Sequence, residues 1–179
     1  FLNDNIIITL DSKNVDNKAL TNVTLKMLDL NFLTKVSYYD SREDKNTISG
    51  DFLIKKDKNK ISGIFDYKDN KLIINKSNLR NTFADGKMEG KIIFLPYFDF
   101  YLDFHLNSIN FTRLYNYFLS LEKKKQKDLF KINNKLNGKL NFSSDKVYSK
   151  HNLVKSFESR LKFYNGNVKI EQFLINLGK

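Results

Sequence analysis

The chain has no cysteine and no tryptophan, a single proline (Pro96) and only two histidines among 179 residues. Without cysteine there is neither a disulfide framework nor a thiolate metal site. With two histidines, at positions 105 and 151, a catalytic triad or a histidine-rich metal centre is not legible. No apolar run approaches the roughly 20 residues that a membrane-spanning helix needs, and no secretory leader is visible. Arginine is scarce, at positions 42, 80, 113 and 160, although the net charge is +11. The excess is therefore lysine, a point charge that lacks the bidentate fork used for base and phosphate recognition. With no RNA-binding motif present, nucleic acid is not an expected partner. No Gly-rich phosphate loop, nucleophile arrangement or paired-carboxylate motif appears, so the chain reads as a non-enzyme with no cofactor.

What is present is alternation. Residues 97–107 read Tyr-Phe-Asp-Phe-Tyr-Leu-Asp-Phe-His-Leu-Asn. Phe98, Phe100, Leu102, Phe104 and Leu106 share one side, and Tyr97, Asp99, Tyr101, Asp103, His105 and Asn107 the other. Strand side chains point to opposite faces with period 2, so this segment predicts a strand about 35 Å long with one apolar face. The hydrophobic fraction of 41% and charged fraction of 28% fit a folded chain.

The same pattern recurs along the chain. Asn5–Leu10 is a short apolar strand. Val23, Leu25 and Met27 alternate, and Leu28, Leu30 and Phe32 alternate in the opposite phase, which predicts a bulge or a boundary between strands. After a polar loop at 40–46 come Ile48, Gly50, Phe52 and Ile54, then Ile61, Gly63, Phe65 and Tyr67, with a turn at 56–59 between them. A turn at 68–70 precedes Leu72 and Ile74. Ala84-Asp85-Gly86 reads as another turn before Met88, Gly90, Ile92 and Phe94. Leu136, Gly138, Leu140 and Phe142 form a later strand, and 143–155 is irregular. Phe157, Ser159, Leu161 and Phe163 lead to Asn165-Gly166, a strong hairpin signal. Phe173, Ile175 and Leu177 lie one position out of phase with Val168 and Ile170. Residues 61–74 and 158–171 share the order strand, aromatic, turn, strand, which favours a repeating meander over a closed barrel.

One segment has a different period. Leu114, Tyr117, Phe118 and Leu121 follow helical spacing within 111–122, with Asn110 or Thr112 as the cap and an exposed charged linker at 123–131 behind it.

The order of these pieces resembles the AsmA-like family of Gram-negative envelope proteins, including its YhdP-type members. The resemblance is carried by 84–92, Leu95-Pro96, the long alternating strand running into Ser108-Ile109-Asn110-Phe111-Thr112-Arg113-Leu114, then 136–140 and 163–170, and it covers roughly 48–179. It implies a long, curved, mainly antiparallel β-meander that forms an apolar groove, with one short helix near 111–122. It also implies phospholipid transport or outer-membrane assembly in the periplasm, with an inner-membrane anchor on a segment this chain does not contain. Phospholipid acyl chains are the expected partner, and other envelope proteins a further one. The whole of 1–179 is then one β-rich fragment of a larger protein, with 1–47 adding generic strands.

Phe98, Phe100, Leu102, Phe104, Leu106, Leu161 and Phe163 are the candidate groove lining. A row of phenylalanines is also what an ordinary core contains, and a β-scaffold that pairs edge to edge without lipid cargo is the alternative, with a basic single-strand nucleic-acid binder behind it. His105, with Asp103, Asn107 and Asp99, offers a conceivable metal site, beside the plain reading of a solvated sheet face. The lysine run 123–127 could meet anionic headgroups or simply be a solvated helix end.

Overall fold

The computed structural model describes residues 5–15, 18–41, 47–124, 133–151 and 153–178. They form one twelve-stranded sheet: β1 (Ile6–Val15), β2 (Lys18–Met27), β3 (Phe32–Ser41), β4 (Thr47–Lys56), β5 (Asn59–Lys68), β6 (Lys71–Arg80), β7 (Ala84–Ile93), β8 (Asp99–Asn110), β9 (Asn137–Ser144), β10 (Val147–Tyr148), β11 (Val154–Tyr164) and β12 (Asn167–Leu177). The spatial order follows the chain from β1 to β9, then β11 and β12, and the sheet is open. No helix of the described residues is long and apolar enough to cross a membrane.

Local chemistry explains most joints. The β5–β6 turn places Asp69 and Asn70 at φ 49° and 62°, and the β11–β12 turn places Asn165 and Gly166 at 49° and 74°. Two successive positive φ values match the twist of the flanking strands, which is why Asn, Asp and Gly stand there. The phase change after Met27 is a strand boundary, with Leu28–Asn31 forming the turn. The phase change in β12 is a bulge. Arg160 pairs with Gln172 and Leu161 with Ile170, leaving Glu171 as the extra residue.

Two expectations need correction. Ala84-Asp85-Gly86 lies inside β7. The turn sits earlier, where the Asn81 side chain accepts hydrogen bonds from the backbone N–H groups of Phe83 and Ala84. Tyr97 and Phe98 precede β8, because the connection through Pro96 runs to residue 98. The sheet is mostly antiparallel, as expected; β8 and β9 run parallel, since helix α1 (Phe111–Ser120) and its linker carry the chain back along the sheet. Asn110 caps α1, its side chain accepting from the Arg113 N–H. Of the charged linker, Lys123 and Lys124 are helical, and 125–132 lie outside the described residues, as does 42–46 of the polar loop.

The compact core is at the helix end of the sheet. Ala84, Leu106, Ile109, Val147 and Phe157 are buried together, with Phe111 and Leu114 of α1 packed against them. β10 continues the line of β9 along β8, and the Ile109 N–H donates to the Lys146 carbonyl.

Candidate functional site

The strand registers align the alternating apolar positions of the long strands on one face, with a minority such as Ile64 and Ile73 on the other. Across the second half of the sheet, Ile92, Phe100, Gly138, Phe163 and Val168 form one row; Leu102, Leu140, Leu161 and Ile170 form the next; Phe104, Phe142, Ser159 and Phe173 form a third. The first half continues it: Ile54 with Ile61, Phe52 with Gly63, and Phe65 with Ile74, out to Val23 and Leu10 on the far edge. The alternation was visible strand by strand. The alignment of eleven strands into one surface is a property of register, which no single segment carries.

This face is concave. Phe65, Ile74 and Met88 are buried, Ile74 to 5% exposure, yet the main contacts of β5, β6 and β7 are with their sheet neighbours, while α1 packs at the far end. Cross-strand neighbours on a sheet face touch, but on the opposite face of the same strands Ile64 and Ile73 stay 49% and 41% exposed; the crowded side is the one towards which the sheet bends.

Phenylalanine rings line the concavity in a chain. Phe98 meets Phe100 at a centroid separation of 6.3 Å, and Phe100 meets Phe163 at 5.4 Å over the backbone of Gly138. Phe104 meets Phe142 at 6.0 Å, and Phe142 stacks on Phe157 at 5.6 Å. Aromatic pairs at these separations favour offset and tilted arrangements. The structure therefore brings Phe98, Phe100, Leu102, Phe104, Leu161 and Phe163 onto one half-exposed surface, and Phe98 reaches it from the connection before β8. Leu106 is different. At 1% exposure it belongs to the sealed core under α1 and is no part of an accessible lining. Leu140, Phe142 and Ile92 belong to the same surface and complete it.

The opposite face is polar. His105 does not look to Asp103 or Asn107, its neighbours along the strand. Its partners come from across the sheet and beyond: Nδ1 lies 3.0 Å from Ser143 Oγ, and Nε2 lies 3.2 Å from an Asp145 carboxylate oxygen. Asp103 instead accepts from the Asn141 amide, which also donates to the Tyr101 hydroxyl at 3.2 Å. Among the described residues no three His, Cys, Asp or Glu side chains converge as metal ligands. Asp85 accepts from the Ser108 hydroxyl and the Asn107 amide, and these hydrogen bonds hold its carboxyl below the ordinary aspartate range, with Arg80 adding a smaller pull.

No family model, curated protein or solved structure matches the chain.

Proposed function

We propose that the chain is a non-enzymatic lipid conduit of the Gram-negative envelope. Acyl chains lie along the concave apolar face while headgroups stay in water. One observation carries this reading: a surface of Phe, Leu and Ile that runs from β1 to β12 and has cover, among the described residues, only at the α1 end. Monomeric proteins rarely leave so large a contiguous apolar patch bare, and such a patch marks a ligand or partner site. The width of the face, many strands rather than one closed pocket, suits a long flexible hydrocarbon better than a compact ligand. The resemblance to AsmA-like proteins points the same way and supplies the envelope setting, with phospholipid as cargo.

The test is site-specific photocrosslinking in Gram-negative cells. A benzophenone amino acid at Phe100 or Phe104 should capture phospholipid, and at Tyr101 or Asp103 it should not. Capture confined to Tyr101 and Asp103 would overturn the reading.

A second reading has its own observation. Among the described residues β1 and β12 are open edges with unpaired backbone groups, and β12 carries Ile170 and Phe173 at 63% and 57% exposure. Natural sheets usually blunt such edges, so a β-scaffold joined edge to edge, without cargo, also fits.

A further inference from the structure

The connection between β7 and β8 is the most exposed apolar segment near the concave face. Phe94, Leu95, Pro96, Tyr97 and Phe98 are consecutive and all exposed, Leu95 to 59% and Tyr97 to 80%. A soluble loop would carry polar residues there. This one is also held in place. The Phe94 N–H donates to the Asn70 carbonyl at 2.9 Å, and its ring lies 6.4 Å from those of both Tyr67 and Phe98. The apolar tip is thus a built feature of this end of the sheet.

Cations surround it. Lys68 and Lys71 flank the neighbouring β5–β6 turn and pair directly with each other. On the polar face just behind the tip, Lys91, Tyr101, Lys139 and Lys162 stand in one row across four strands. These lysines are exposed; Lys139 Nζ lies 4.0 Å from a Glu171 carboxylate oxygen. Like charges directly opposite each other on paired strands are destabilising; Glu171 offsets Lys139 in part, and the row as a whole stays cationic. Tyrosine beside lysine around an apolar tip is the composition of a membrane–water interface. Lysines near a bilayer are drawn to its anionic lipids.

We infer that the β7–β8 connection is a bilayer-docking tip, in which Leu95, Tyr97 and the adjoining phenylalanines enter the headgroup region of an anionic membrane and the lysines meet its phosphates. The ring chain from Phe94 through Phe98 to Phe100 and Phe163 then joins the bilayer to the concave face without a polar break. That onward path rests on the conduit reading, whereas the docking itself does not.

The chain has no tryptophan, so single-tryptophan variants report the contact cleanly. Tyr97→Trp should show a blue-shifted emission, quenched by brominated lipid, on vesicles of phosphatidylcholine with phosphatidylglycerol. Leu28→Trp, in the β2–β3 turn at the opposite end of the sheet, should show neither. In co-sedimentation, Leu95→Ser/Tyr97→Ser should lower vesicle partitioning at least about tenfold, because interfacial binding scales with buried apolar area. Both positions are exposed, so an unchanged circular dichroism spectrum is expected of the variant. The docking is overturned if the unmodified chain ignores these vesicles, as it would were the tip a protein contact. It is equally overturned if the double-serine variant binds as well as the parent, or if Leu28→Trp responds like Tyr97→Trp. No vesicle binding by the unmodified chain, with lipid captured at Phe100, removes the docking and leaves the conduit; vesicle binding without capture at Phe100 removes the conduit and leaves the docking.

Discussion

The Phe100 ring lies against the backbone of Gly138, so close that a Cβ on that glycine would stand 2.6 Å from the ring and 2.4 Å from the Phe100 carbonyl oxygen. Gly138 also has φ +151°, a conformation that L side chains rarely adopt. Phe100 and Phe163 meet over this spot because nothing projects between them. Gly138→Ala should therefore cost about 1–3 kcal/mol of stability from backbone strain and forced ring displacement, read from the urea midpoint. Adding Phe100→Leu should recover part of the loss, since the smaller side chain relieves one of the two clashes. A fully additive double variant would show that ring and glycine are not coupled.

Leu106 and Leu102 share a face of β8, either side of Phe104, but they should respond very differently to truncation. Leu106 is sealed beneath α1 with Ile109, Val147 and Phe157. Leu106→Ala should cost about 2–5 kcal/mol, the usual range for a cavity in a packed core. Leu102 is half-buried on the uncovered concavity, where neighbours or solvent can fill the gap, and Leu102→Ala should cost about 1 kcal/mol. Chemical denaturation of the two variants side by side checks this, and equal losses would contradict the division between sealed core and open face.

That division also marks what could be read in the sequence. The Asn165-Gly166 hairpin, the Asn110 cap and the alternation of each strand are local, so the residues that form them also announce them. Asp85-Gly86 misled for a physical reason: the pair resembles a hairpin turn, but the Asn81 side chain had already closed the turn three residues upstream. Leu106 could not be told from Phe104 by alternation alone, because what separates them is α1, delivered by a long parallel crossover between β8 and β9. The docking tip was hidden in the same way. Tyr97 and Phe98 continue the period of the strand, and only the three-dimensional path through Pro96 shows that they stand outside it.

Asp85 should make acid stability sensitive to one short hydrogen-bonded cluster. Its carboxyl is held below the ordinary aspartate range by Ser108 and Asn107. A depressed pKa stabilises the fold above the unfolded-state value, near 4, and the contribution disappears as pH falls through the lower folded-state value. The group is half-buried and partly screened by solvent, so the effect is small. Stability measured from pH 6 down to pH 2 should show Asp85→Asn starting below the parent and converging with it at the acid end. A gap that stays constant across the range would mean that ionisation of Asp85 contributes nothing.

β12 is an edge strand whose apolar side chains extend the concave face to its limit. Ile170 and Phe173 are largely exposed there, and within the strand Lys169 and Glu171 are the only charges. Unpaired N–H and C=O groups beside such side chains form a template for another strand. The chain should therefore self-associate as its concentration rises, seen as a growing weight-average mass in sedimentation velocity. Phe173→Lys should hold the mass near that of one chain, because a lysine directed onto the apolar side of the edge opposes pairing. Ile64→Lys provides the control. Ile64 is about as exposed as Ile175 but lies on the polar face of β5, an interior strand with both backbone edges already paired. If Ile64→Lys suppresses association as strongly as Phe173→Lys, general surface hydrophobicity drives the process; if only Phe173→Lys does, the open edge of β12 is the site.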